Sequence, residues 1–108
     1  MLTGDLPLKT KVRQNIQKIM VDLTNKIDPD SGLLESLLSD EVISKAAYDE
    51  IKAEKIKSSR AKTLLNILLR GSDRAFGKFL DDLMIYQPLA MDIISESYIL
   101  RNYIHESG

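Results

Sequence analysis

Apolar residues recur along the chain at the three- and four-residue spacing of helices that bury one face. The first stripe contains Val12, Ile16, Ile19, Met20 and Leu23, and it predicts one helix. Five further stripes predict five more helices, at residues 33–38, 47–51, 61–69, 76–83 and 89–104. No hairpin turn between alternating apolar runs interrupts the pattern. The chain is therefore predicted to be all-α.

Prolines and glycines fall where these helices should begin or end. Pro7, Pro29 and Pro88 each precede a helical stripe, where the missing N–H costs least. Asp28 is predicted to cap a helix that begins at Pro29. Gly71 is predicted to end the fourth helix.

Serines supply the other predicted helix starts. Ser44 is predicted to cap the third helix, Ser58 or Ser59 the fourth, and Ser72 the fifth. Gly77 lies inside the fifth helix, where glycine costs about 1 kcal/mol relative to alanine. We expect this glycine to permit a close helix contact.

Six short helices with tight connections in 108 residues predict one antiparallel helical bundle. We expect a single domain over residues 1–108. Its core would occupy about residues 9–95, and residues 96–108 would form a C-terminal helical extension.

The residue types that carry out catalysis are scarce. The chain has no cysteine, and its one histidine, His105, is close to the end of the sequence. The carboxylate pairs Asp49-Glu50 and Asp81-Asp82 are predicted to be solvated surface, because adjacent helix positions point in different directions. We expect no catalytic residue, no cofactor and no metal site.

No segment of the sequence is typical of membrane insertion or export. The densest apolar run, residues 64–69, is much shorter than the roughly 20 residues that span a bilayer. The N-terminus lacks the apolar run of a signal peptide. We expect a cytoplasmic protein with no membrane contact.

The chain carries 15 basic and 16 acidic residues, but these are segregated along it. Residues 9–26 have a net charge of +4, residues 28–54 of −6, and residues 55–74 of +5. The first and fourth predicted helices are therefore basic, and the second and third are acidic.

Two interpretations of these blocks are open. Charged helix faces can be no more than solvated surface, or a basic patch on one molecule can meet an acidic patch on another. The second arrangement would be head-to-tail and could propagate into a chain. A small helical nucleic-acid-binding domain that uses the basic helices is an alternative. The net charge of −1 and the lack of a helix-turn-helix signal argue against it.

The order of core residues over about residues 9–95 resembles a caspase recruitment domain. The matching positions are residues 33–34, 37–38, 42–44, 48, 51, 60–62, 64–68, 70–71, 75–76, 79–80 and 83. The most specific part runs from Arg60 to Leu83, where LLNIL precedes an Arg-Gly turn and an aromatic, leucine-rich helix.

This resemblance implies a six-helix Greek-key bundle of the death-fold superfamily. It also implies a non-enzymatic module that binds other caspase recruitment domains in caspases, adaptors or scaffolds of apoptotic or innate-immune signalling. If the parent protein is a caspase, its catalytic residues lie outside this chain.

The resemblance further implies two partner-binding sets, on the basic and the acidic helices. The basic set is Lys11, Arg13, Lys18, Arg60 and Lys62. The acidic set is Asp28, Asp30, Glu35, Asp40, Glu41, Asp49, Glu50 and Glu54. Arg13 and Arg60 are the first choices, because a guanidinium can bind a carboxylate through two hydrogen bonds.

The sequence departs from the family pattern in two places. The first helix is often bent or split in this family, yet residues 8–24 contain no Gly or Pro that would compel a kink. Residues 99–108 extend past the usual end of the domain, and we expect them to continue as helix.

Overall fold

A computed structural model describes the backbone of residues 6–107 and the side chains of residues 6–97 and 99–104. Eight α-helices fill the described part of the chain. They are α1 (Thr10–Lys18), α2 (Met20–Lys26), α3 (Leu33–Ser39), α4 (Lys45–Lys52), α5 (Lys57–Leu69), α6 (Asp73–Tyr86), α7 (Pro88–Ser95) and α8 (Tyr98–Ser107). The prediction of an all-α bundle is confirmed.

The difference between six predicted and eight observed helices arises from two breaks. The first predicted helix is divided at Ile19, whose N–H is shared between the carbonyls of Asn15 and Ile16 at 3.3 and 3.2 Å. The break lets α1 pack on α8 while α2 packs on α5. The sixth predicted helix is divided before Ser97, whose hydroxyl accepts a hydrogen bond from the N–H of Leu100. Each break follows from a change of packing partner, with no Gly or Pro at either place.

Two of the predicted serine caps are confirmed. The Ser44 hydroxyl accepts a hydrogen bond from the N–H of Ala47 at 3.1 Å, and the Ser72 hydroxyl accepts one from Ala75 at 3.0 Å. Each bond satisfies a backbone donor in the first turn of α4 or α6.

Other predicted helix boundaries are wrong. α5 begins at Lys57 without a side-chain cap, so Ser58 and Ser59 lie inside its first turn. Pro29 is buried in a turn that precedes α3, and the helix starts four residues later, after Gly32. Gly32 has φ of +101°, a conformation that glycine adopts readily, and so supplies the bend that enters α3. Pro88 does begin α7, as predicted.

Gly77 does not permit a close helix contact, so that prediction is also wrong. A Cβ added at this position would meet no atom within 4 Å. The glycine is therefore a weak position within α6 and brings no compensating contact.

One apolar core runs through the bundle, and every helix contributes to it. Phe76 and Phe79 are fully buried in it, with ring centroids 5.7 Å apart. The core extends beyond residue 95, because α8 buries Leu100 and Tyr103. The Tyr103 hydroxyl donates a hydrogen bond to the Asp73 carboxylate at 2.7 Å, which fastens α8 to the start of α6.

The burial predicted for two residues is wrong. Leu89, placed by its spacing in the apolar stripe of the sixth predicted helix, is 68% exposed. Asp82, expected to be solvated, is 8% exposed and faces α3. Within residues 6–107, no helix is both long and apolar enough to cross a membrane.

Candidate functional site

The three lysines of the basic set project into solvent. Lys11 and Lys18 are exposed on α1, and their seven-residue spacing places them on the same face of that helix. Lys62 is exposed on α5. None of the three forms an ion pair with any described residue, so their charges are available to another molecule.

Arg13 is engaged in holding helices together. Its Nε donates to the Leu69 carbonyl at 3.1 Å, and its Nη2 donates to the Leu8 carbonyl at 3.1 Å. The first bond satisfies a carbonyl at the end of α5, where the last turn of a helix leaves such groups unpaired. Arg13 therefore fastens α1 to the end of α5 and to the segment that precedes α1.

Arg60 is bound to a residue of the acidic set in the same molecule. Its Nε and Nη2 donate to the two carboxylate oxygens of Asp30, at 3.0 and 2.7 Å. Its Nη1 donates to the Glu54 carbonyl at 2.8 Å. These bonds hold the pKa of Asp30 below its usual value and raise the pKa of Arg60. The two predicted surfaces therefore adjoin each other at this point.

The two arginines named first do not form one site. Arg13 bonds to Leu69, which lies nine residues beyond Arg60 on α5. At 1.5 Å per residue, that separation is about 14 Å along the helix. The structure thus places Arg13 and Arg60 towards opposite ends of α5.

The segment that carries Asp30 is a tied loop, residues 28–32, which we call the acidic loop. Gln87, at the junction of α6 and α7, accepts a hydrogen bond from the Asp28 N–H at 2.7 Å. Its Nε2 donates to the Asp28 carbonyl and to the Ser31 hydroxyl. On the other side, the Asp28 carboxylate lies 3.9 Å from the Lys57 ammonium. The acidic loop is thus held from both sides, by Gln87 and by α5.

The role of Gln87 in holding the acidic loop was not predicted, and the sequence gives only a weak indication of it. Its place before Pro88 predicts a helix boundary, which is observed, because the residue before a proline disfavours helical conformation. Its side-chain partners lie 56 and 59 residues away. Spacing along the chain cannot reveal such contacts.

Part of the acidic set is neutralised between α3 and α4. The Tyr48 hydroxyl donates to Glu35 at 2.8 Å, and the Lys52 ammonium lies 3.8 Å from the same carboxylate. The bond to Glu35 raises the pKa of Tyr48. Asp49 pairs with Lys45 at 3.0 Å, one turn away on α4. These exposed pairs reduce the local field without adding much stability.

The remaining four members of the acidic set are exposed. Asp40 and Glu41 occupy the turn between α3 and α4 and line a polar depression with Arg74 and Lys78. Glu50 and Glu54, on and just after α4, form no ion pair within the described part of the chain.

Asp82 is a buried carboxylate that the sequence did not predict. The Ser36 hydroxyl of α3 donates to it at 3.2 Å, and no described cation lies within ion-pair distance. Desolvation raises its pKa, and the nearby carboxylates of Asp40 and Asp81 add to the shift. Asp82 therefore belongs to the contact between α3 and α6 and is not part of the exposed acidic surface.

Exposed apolar side chains are concentrated at the end of α6 and the start of α7. Of the seven large apolar residues that are exposed among those described, four lie at Met84, Ile85, Tyr86 and Leu89. The Tyr86 ring would lie 3.9 Å from a Cβ placed on Gly32. Tyr86, at the end of α6, therefore adds apolar area to the surface around the acidic loop.

A sequence model of the family described as CARD, the caspase recruitment domain, matches residues 11–96. The match covers most of the chain, and the chain therefore belongs to the caspase recruitment domain family. Comparison with curated proteins and with solved structures gives no match. The family has an all-helical death fold, and its members are homotypic protein-interaction modules rather than catalysts.

Proposed function

We propose that this domain recruits or clusters proteins that contain caspase recruitment domains, in apoptotic or innate-immune signalling in the cytoplasm. The basic set would receive an acidic surface of the partner, and the acidic set would receive a basic one. If both surfaces are used at once between copies, the contact is head-to-tail and can build oligomers. The partner would be a caspase, an adaptor or a scaffold, and the parent protein of this chain could itself be a caspase.

The observation that carries this proposal is that Lys11, Lys18 and Lys62 are exposed without an ion pair to any described residue. Exposed acidic residues on other elements, at positions 40, 41, 50 and 54, supply the opposite charge. Complementary charges of this kind give partner specificity and fast encounter. Because Arg13 and Arg60 already have internal partners, we expect the lysines to supply the first attraction.

Nucleic-acid binding is less well supported by the same contacts. A phosphate backbone is bound by a track of free cations. Here Arg60 is neutralised by Asp30, and the acidic loop lies beside the start of α5. A duplex DNA sample therefore serves as a negative control.

The test is a binding panel of purified caspase recruitment domains from caspases, adaptors and scaffolds, together with a second copy of this chain. We expect at least one to bind the wild-type chain and Lys62→Glu to weaken that binding at least about tenfold. Arg101→Glu is the matched control, because it makes the same charge change at an exposed position on α8. If no member of the panel binds, or if both variants weaken binding equally, the proposal is wrong.

A further inference from the structure

The guanidinium of Arg60 has few donors left for another molecule. Three of its five N–H groups are directed at Asp30 and at the Glu54 carbonyl. The side chain is 18% exposed, and that of Asp30 is 34% exposed. A partner carboxylate can therefore take the two-bond position on Nε and Nη2 only by removing Asp30 from it.

Asp30 is kept close to Arg60 by contacts other than the pair itself. Gln87 makes three hydrogen bonds to the acidic loop, and Lys57 lies beside Asp28. A carboxylate tethered in this way returns to the guanidinium as an intramolecular competitor, at a high effective concentration.

We propose that Asp30 is a built-in competitor that occupies Arg60, so that this part of the basic surface accepts only a partner whose carboxylate displaces Asp30. The inference rests on the proposed function, because it concerns the same basic set. Lys11, Lys18 and Lys62 attract any acidic surface, whereas Arg60 adds its two bonds only to a partner that reaches it with a well-placed carboxylate. Asp30 thereby sets specificity for an acidic protein surface.

The opposite role for Asp30 makes a different prediction. If Asp30 holds Arg60 in the orientation that the partner needs, its removal must weaken binding of an acidic partner. If Asp30 competes, its removal must strengthen binding. The sign of one change in affinity separates the two roles.

The experiment titrates the full chain with a capped hexaglutamate peptide and follows ¹H–¹⁵N NMR shifts. We expect Asp30→Asn to bind the peptide about tenfold more tightly than wild type, which is the size of one charge-assisted hydrogen-bonding contact. Asp92→Asn is the matched control, since it removes the same charge from an exposed position on α7 that belongs to neither charged set. We expect less than a twofold change for this control.

A second pair of variants shows whether the gain passes through Arg60. In an Arg60→Gln background, adding Asp30→Asn should bring no further gain. Asp30→Glu offers another route if Asp30→Asn fails to fold. Because the acidic loop is held in place, the longer glutamate side chain should not keep both oxygens on Nε and Nη2 of Arg60. The gain in peptide affinity should then be intermediate.

The inference is overturned if Asp30→Asn gains no more than Asp92→Asn, if it binds more weakly than wild type, or if the gain survives in the Arg60→Gln background. These outcomes are distinct from failure of the proposed function. The peptide titration needs no partner domain, so it can succeed even if no recruitment domain binds. Conversely, a partner could still bind through the lysines if Asp30 did not compete.

Discussion

Asp30 and Asp82 are held in opposite ways in two neighbouring regions of the bundle. Asp30 lies in the acidic loop, and both of its oxygens accept hydrogen bonds from Arg60. Asp82 lies in the contact between α3 and α6, where Ser36 donates to it and the charges around it are the carboxylates of Asp40 and Asp81. The pKa of Asp30 is lowered by its cation, whereas the pKa of Asp82 is raised by burial.

The two carboxylates therefore differ in whether a second molecule can replace their present partner. A partly exposed ion pair can be replaced by another pair of the same chemistry on a second molecule. A buried carboxylate with a neutral donor has no such exchange available, and its charge costs stability. The acidic loop and the start of α5 therefore belong to the surface that we propose for recognition, whereas Asp82 belongs to the contact between α3 and α6.

The largest expected effect concerns how the acidic loop is held. Gln87→Ala removes three hydrogen bonds to the acidic loop, and we expect it to lower the free energy of unfolding by about 2 kcal/mol. Gln17→Ala, at an exposed position on α1, is the control and should change it by less than about 0.5 kcal/mol. Urea unfolding followed by circular dichroism measures both. Equal effects would show that Gln87 does not secure the acidic loop.

Two glycines, one in each region, should respond with opposite signs. Gly32→Ala forces alanine into φ of +101° and should cost about 1–2 kcal/mol. Gly77→Ala, on the same helix as Asp82, meets no atom within 4 Å and should stabilise by up to about 1 kcal/mol. Thermal unfolding compares them with wild type. A destabilised Gly77→Ala would contradict the open space found there.

Removing the charge of Asp82 should stabilise the domain at neutral pH. Asp82→Asn keeps an acceptor for the Ser36 hydroxyl and abolishes the cost of burying a carboxylate, a gain of about 1 kcal/mol at pH 7. The folded pKa of Asp82 is raised, so the gain should disappear as the pH falls through that pKa and the wild-type carboxyl becomes protonated. Asp81→Asn, at the exposed neighbour, should show a much smaller gain. A gain that does not depend on pH would mean that burial of the charge is not its cause.

The smallest expected effects are the pKa shifts of the two carboxyls, which direct titration measures. By ¹³C NMR, Asp30 should titrate below the reference value of 3.8 and Asp82 above it. The stability that Asp30 contributes is present above pH 3.8 and is lost as the pH falls through its lowered folded pKa. If the two carboxyls titrate together, the contrast between the regions is wrong.

The helical bundle could be predicted from the sequence because the periodicity of apolar residues records which face of each helix is buried. Ser44 and Ser72 could be predicted as caps because a cap acts within three residues of chain. The break at Ile19 could not be predicted from the apolar pattern, since it follows from α1 and α2 packing on different helices and has no Gly or Pro to mark it. Only the resemblance pointed to it, because the first helix is often split in that family.

The charge blocks were visible in the sequence, but their pairing within the molecule was not. Asp30 and Arg60 are 30 residues apart, and the Arg13 and Leu69 partners are 56 apart. Only the folded bundle shows that the two arginines have internal partners, whereas Lys11, Lys18 and Lys62 form no ion pair with any described residue. Asp82 was wrongly predicted to be solvated, because its burial depends on the packing of α3 against α6, which the sequence does not show.

In the proposed function, free and exchangeable charges on this domain recruit another caspase recruitment domain. The most direct measurement is charge-reversal rescue with the tightest-binding member of the panel, by isothermal titration calorimetry. Lys62→Glu should weaken binding at least about tenfold, and reversing one acidic residue of the partner to lysine should restore most of the loss. If Lys62→Glu binds as tightly as wild type while remaining folded, or if no acidic residue of the partner restores the loss, the claim is contradicted.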